Sequence, residues 1–81
     1  MGTTRYFIEQ VLRKRPYLTE AMCRSVLAAP IHEVQQGDGR FRVWGEVVDP
    51  RDGTTRFLRV VVLEDRLTLH NAFFDRDFVA S

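Results

Sequence analysis

One cysteine, two histidines, a single lysine and no long apolar run set this 81-residue chain apart by what it lacks. With Cys23 alone no internal disulfide can form, and a reducing cytoplasm is the expected setting. Cys23, His32 and His70 show no metal-ligand spacing, so neither a metal nor another cofactor is expected. No apolar stretch approaches the ~20 residues needed to span a bilayer. The opening MGTTRYFIEQ has no basic stretch followed by an apolar core, so no secretory signal is expected.

A chain of this length carries one modest core, and a single domain over residues 1–81 is expected. Hydrophobic residues at 44% and charged residues at 28% fit a soluble globular protein rather than a disordered one. The net charge of +1 says nothing about nucleic acid. Its distribution is less neutral. Residues 1–30 hold Arg5, Arg13, Lys14, Arg15 and Arg24 against Glu9 and Glu20, and the rest of the chain is slightly acidic. Eleven of the twelve Lys and Arg residues are arginine, whose planar fork suits phosphate where lysine offers a point charge.

The spacing of Tyr6, Phe7, Ile8, Val11 and Leu12 predicts a helix over residues 4–14, closed at Arg15-Pro16 because the residue before proline avoids the α region. Thr19 is a good N-cap for a second helix over 19–29, with Glu20 in its first turn and Leu18, Met22 and Val26 on its buried stripe. After Pro30 the period changes to two. Residues 31–36 read as a short strand and Gly37-Asp38-Gly39 as a hairpin turn. Longer strands are predicted near 40–48, 56–64 and 66–73, with Asp49 to Gly53 a loop and Asp65-Arg66 a tight turn. The expected class is α+β, with two N-terminal helices packed on one face of a four-stranded antiparallel sheet. Phe7, Val11, Met22, Val26, Leu58, Val60, Val62 and Leu69 are the expected core.

Strand alternation sorts the polar residues by face. Arg42, Trp44 and Glu46 share one face of the second strand, and Arg59 stands with Phe57 and Val61 on the third. On the fourth, Thr68 and His70 fall together, opposite Leu67, Leu69, Phe73 and Asn71. One sheet face would then carry a base, two guanidiniums, an acid and an aromatic platform, a set suited to a phosphodiester or an unstacked base. Each residue also has a structural reading. His70 can cap a half-exposed strand, and Trp44 can be a packing residue. Arg59 needs a carboxylate such as Glu46 or Asp75, carbonyls or a ligand, because its charge cannot be buried unpaired. His32 reads as solvated and Cys23 as inert. Arg13, Lys14 and Arg15 can complement the helix dipole or serve as a landing strip for RNA.

The runs EQVLRKRPYL, CRSVLAAP, DGRFRVWGEV, FLRVVVLED and LTLHNAFFDRDF together resemble a group of small bacterial proteins. That group is similar to the RelE-like toxins of the barnase–EndoU–colicin–RelE nuclease superfamily. The resemblance spans nearly the whole chain. It implies helices before a four-stranded antiparallel sheet and metal-free attack of a ribose 2′-OH on the adjacent phosphate. By that resemblance His70 is the acid–base candidate, and Arg59 and Arg76 are the phosphate-binding candidates. Arg13, Arg15, Arg42 and Trp44 are the expected RNA contacts. RNA or the ribosome is the implied target, and a small antitoxin encoded nearby is the implied protein partner. Asp65-Arg66 replaces the Asp-Gly expected at the last hairpin, and Phe74 replaces a proline expected before Asp75. Two functional classes follow: a toxin-like, metal-independent ribonuclease, or a non-catalytic binding module that acts through a protein partner or as a dimer. A DNA-binding regulator is disfavoured, because no helix-turn-helix turn is present.

Overall fold

A computed structural model describes residues 2–79. In chain order come a π-helical segment at Phe7–Leu12, α1 at Glu20–Ala28, β1 at His32–Gln35, β2 at Phe41–Val48, β3 at Thr55–Val62 and β4 at Leu69–Phe74. The class is α+β, and the four strands form one antiparallel sheet in the order β1-β2-β3-β4. No helix among the described residues is long and apolar enough to cross a membrane.

The first helical segment differs from the expected α-helix. Residues 5–6 and 13–14 are α-helical, but the six residues between Tyr6 and Arg13 are wound as a π-helix. Phe7 and Val11 are buried by it, while Tyr6 and Ile8 stand in solvent. Thr4 caps the start, its Oγ1 accepting the Phe7 N–H at 3.1 Å. The cap of α1 is the one expected: Thr19 is extended and its Oγ1 accepts the Met22 N–H at 3.1 Å. The buried stripe of α1 is shifted, with Cys23 rather than Met22 in the core and Met22 only packed against it. Burial pushes the Cys23 thiol up to about 12, so it stays protonated and inert at neutral pH.

Register explains the core. Phe41, Val43, Gly45 and Val47 of β2 pair with Val62, Val60, Leu58 and Arg56 of β3, so these residues share a face. Val43, Leu58, Val60 and Val62 join Phe7, Val11, Leu18, Cys23 and Val26 in one buried cluster. Gly45 stands where α1 comes closest to the sheet. A Cβ there would lie 3.1 Å from Val26 Cγ1 and 3.3 Å from Val26 Cα. In the β1–β2 hairpin Gly39 takes φ 90°, and Asp38 Oδ1 accepts the Arg40 N–H at 3.0 Å, as the turn residues led one to expect.

The loop from β2 to β3 is organised by Asp49, the one charged side chain buried among the described residues. Its carboxylate accepts from Arg51 Nη2 at 2.7 Å, Arg56 Nε at 3.0 Å and the Arg51 backbone N–H at 2.9 Å. The Arg51 guanidinium therefore holds the Asp49 carboxyl far below its usual range. Arg51 also lies 3.8 Å over the Tyr17 ring, which stacks on Phe74 at 6.0 Å.

The last strand departs most from expectation. The tight turn is centred on Glu64-Asp65 rather than Asp65-Arg66, with the Arg66 N–H donating to Leu63 O at 2.9 Å, and β4 begins at Leu69 instead of residue 66. The Asp65 carboxylate accepts the N–H groups of Leu67 and Thr68, both at 2.9 Å, as well as the Thr68 hydroxyl. These bonds, the Thr68 hydroxyl first, lower its pKa to about 2. Arg66 takes φ 60°, and Leu67, expected within the strand, is exposed. A bulge opposite Val61/Val62 then changes the phase of the strand: Val62 pairs with Leu69 but Val61 with Asn71, so His70 is the extra residue. Asn71 and Phe73 consequently stand on the Arg59 face, while Ala72 and Phe74 share the phase of Leu58 and Val60.

Two substitutions test this packing by denaturant unfolding. Leu58→Ala, at a fully buried site, should cost about 2–5 kcal/mol. Gly45→Ala should cost about 1–3 kcal/mol, because the Val26 backbone has little room to yield. A neutral Gly45→Ala would show that α1 slides freely on the sheet.

Candidate functional site

His70 owes its surroundings to the N-terminus. Thr3 bridges Leu69 in parallel, with the Thr4 N–H donating to Leu69 O at 2.9 Å and the Leu69 N–H to Gly2 O at 3.0 Å. Arg24 of α1 secures this segment by donating to Gly2 O at 3.0 Å and to the carbonyl of Leu67. Thr4 Oγ1 thereby reaches His70 Nδ1 at 3.0 Å, while Tyr6 stacks on the imidazole with centroids 5.0 Å apart. Nε2 of His70 has no hydrogen-bond partner among the described residues, and the ring is half-buried. Burial, and then the charge of Arg40, lowers its pKa below the ordinary 6.5; Asp38 pulls weakly the other way. His70 is therefore predominantly neutral at pH 7.

Arg59 occupies a different setting. It pairs across the sheet with Trp44 on one side and Phe73 on the other. Its guanidinium carbon lies 5.0 Å from the Phe73 centroid and 5.7 Å from that of Trp44. Neither Glu46 nor Asp75, the expected partners, forms an ion pair with it. Its buried Nε has no hydrogen-bond partner among the described residues. Burial and the like charge of Arg42 both lower its pKa. Arg42 itself donates from Nε to Gln36 Oε1 at 3.1 Å.

Trp44, expected as a stacking platform, is itself covered. Phe78 folds back to stack on it at 5.1 Å and 15°, and the Trp44 Nε1–H donates to Asp75 Oδ2 at 2.9 Å. His32 is exposed, as expected, with its ring 5.3 Å from Trp44 and 5.7 Å from Phe78. Arg76 lies beyond the end of β4, on an open hollow of about 260 Å³ lined also by Arg56, Phe57, Phe74, Asp75 and Phe78. Six residues separate it from His70, up to about 20 Å of extended chain. The structure thus brings His70 together with Thr4 and Tyr6, and Arg59 together with Trp44, Phe73 and Arg42. It sets Arg76 at the opposite end of β4. Arg13 and Arg15, at the close of the first helical segment, have no side-chain hydrogen bond or ion pair among the described residues.

The sequence reading missed Thr4, Tyr6 and Phe78. Thr4 carried a signal, a threonine three residues before the first buried helical position. Nothing local connects it to a histidine 66 residues away.

Among the described residues no group of three His, Cys, Asp or Glu side chains is arranged to hold a metal ion. No protein-family model, curated protein or solved structure matches the chain.

The charges around His70 define a titration with a fixed sign. NMR titration of the imidazole should give a pKa below 6.5; Arg40→Gln should raise it and Asp38→Asn should lower it further. Because the unfolded chain binds this proton more readily, stability should fall as pH is lowered from 6.5 towards the folded-state value and stay level above it. A folded-state pKa above 6.5 would contradict the assigned surroundings.

Proposed function

We propose that this chain is a toxin-like, metal-independent ribonuclease, related in kind to the RelE-like toxins, with His70 as its acid–base group. The observation that carries the reading is the state of that imidazole: one nitrogen engaged by Thr4, the other free, and the ring neutral at cellular pH. In the tautomer protonated at Nδ1, that N–H donates to Thr4 Oγ1, which also accepts the Phe7 N–H. Nε2 then presents the lone pair that a general base needs. It would take the proton of a ribose 2′-OH as that oxygen attacks the adjacent phosphate, and the 5′-oxygen would leave. Arg40, whose charge already reaches His70, is the nearest cation for the developing negative charge.

In this reading the two helical segments pack on the aliphatic face of the sheet and leave the Arg59 face to a partner. Arg13, Arg15 and Arg76 contribute charge to an RNA track rather than contacts at the reacting phosphate. A small antitoxin would cover His70 until release. The exposed Tyr6 and Ile8 beside it offer apolar area for such a partner.

The test is RNA cleavage by purified wild type and His70→Ala in excess chelator, with circular dichroism to confirm folding. His70→Ala should lower cleavage by ~10²–10⁴-fold. The rate in the wild type should fall on the acid side of a pKa below 6.5, where His70 is protonated. Thr4→Ser should keep most activity and Thr4→Val should lose much of it, since only the hydroxyl is needed to hold Nδ1. Equal cleavage by wild type and His70→Ala removes His70 from the chemistry. Absence of cleavage on free RNA and on ribosomes, together with harmless induced expression, favours the non-catalytic binding module.

A further inference from the structure

Most arginines at the loops and sheet margins are matched to acids. Arg51 and Arg56 hold Asp49, Arg66 holds Glu33 and Arg24 holds Glu20. On the sheet itself Arg42 has only Gln36 as a partner, and Arg59 has none among the described residues. It lies in the middle of β3, with no carboxylate within ion-pair distance among the described residues and with Nε buried without a partner. The acids on its own face form no ion pair with it, and Asp75 offsets its charge only in part. Glu46 is exposed and makes no ion pair among the described residues, and Asp75 is turned to the Trp44 indole. Its strongest charged neighbour is another arginine, Arg42, two pairs along β2 and opposite Val61.

Arg42 and Arg59, two register pairs apart on one sheet face, repel each other, and rings at 5.0 and 5.7 Å offset only part of the desolvation of Arg59. A structural role alone would be served better by an apolar residue of similar size, which would remove an unpaired charge. The arrangement instead fits an anion bound between the two forks. Phe73 and Trp44 hold the Arg59 side chain in line, and Gln36 holds Arg42 through Nε, which leaves the Arg42 terminal nitrogens free. Converging donors with a double positive charge match a phosphate group, which presents several oxygens and up to two negative charges.

We propose that Arg42 and Arg59 form a phosphate-binding site separate from His70. Arg59 then binds and positions rather than takes part in proton transfer. Phe73, directly opposite Arg59, is three residues along β4 from the bulge that carries His70, about 10 Å of strand. A phosphate held by the pair would thus belong to a group next to the one at His70 and not to the same one. The proposal does not rest on cleavage; it concerns binding alone.

The experiment follows the Arg59 Nε–H and Trp44 Nε1–H resonances of ¹⁵N-labelled full-length protein, the indole reporting also in the variants, during titration with inorganic phosphate and, separately, with oligothymidylate DNA. The oligomer lacks the 2′-OH, so it cannot be cut by the proposed chemistry, and an inactive enzyme would leave this measurement unaffected. The expected result is a saturable shift. Binding at least tenfold tighter for the oligomer assigns the site to a nucleic-acid strand, whereas equal binding assigns it to a free phosphate compound. Arg42→Gln and Arg59→Met should each weaken binding by about 10–100-fold, the range for a lost hydrogen bond to a charged group. Arg59→Met should also melt no lower than wild type, since it removes a charge without a protein partner. No shift at Arg59 with either ligand would overturn the site. So would unchanged affinity in a folded Arg59→Met variant.

Discussion

A single extra residue in the last strand governs the polar layout of this molecule. Without the bulge at His70, Leu69 and Ala72 would fall on opposite faces, because they are an odd number of positions apart. Both are in fact fully buried. The bulge shifts the phase of everything after it by one residue. Phe74 goes to the aliphatic side, Asn71 and Phe73 go to Arg59, and His70 is left out of the ladder. An unpaired residue at a sheet margin needs support from elsewhere, and residues 2–4 supply it by pairing with Leu69 and placing Thr4 and Tyr6 around the imidazole. The N-terminal segment is held in turn by Arg24 of α1. The position of His70 therefore depends on three segments far apart in the chain.

That dependence marks the limit of what the sequence makes legible. Local signals read well: the Thr19 cap, the Gly37-Asp38-Gly39 turn, the Asp49–Gly53 loop, and the strands whose alternation runs unbroken from Phe41 to Val48 and from Thr55 to Val62. The α+β class and the antiparallel sheet follow from those signals together. Errors gather where one segment acts on another. LTLHNAFF contains no glycine to mark a bulge, so a uniform period of two put Phe73 with Leu69 and His70 with the Arg59 face. The π winding of Phe7–Leu12 leaves the buried pair Phe7 and Val11 as any helix would, so the hydrophobic pattern cannot distinguish it. Trp44 read as a platform because its cover, Phe78, arrives from 34 positions down the chain after an unremarkable DRDF.

Two charged side chains meet opposite electrostatic settings here. Asp49 has negligible exposure, but two guanidiniums and a backbone N–H meet its oxygens, so nothing about it is left unsatisfied. Arg59 is half-buried against two rings, and its Nε has no hydrogen-bond partner among the described residues. Glu46 and Asp75 are close in register, yet one faces solvent and the other serves an indole. The contrast separates a charge matched within a loop from one left without an ion-pair partner among the described residues.

Placed together, these features divide the polar chemistry of the sheet by the kind of work each group can do. His70 is neutral, oriented through one nitrogen and open at the other, which suits proton transfer but supplies no fixed charge. Arg59 and Arg42 supply fixed charge and cannot exchange protons at neutral pH, because even a lowered arginine pKa stays far above it. A phosphodiester substrate needs both services, but not from one point. A strand of nucleic acid offers successive phosphates, so a cation pair whose Arg59 stands opposite Phe73, three residues along β4 from the bulge, would hold one while the next is exposed to the base. The separation imposed by the bulge is then compatible with a division of labour between binding and chemistry. It is incompatible with a compact cluster in which His70, Arg59 and Arg76 all grip a single phosphate.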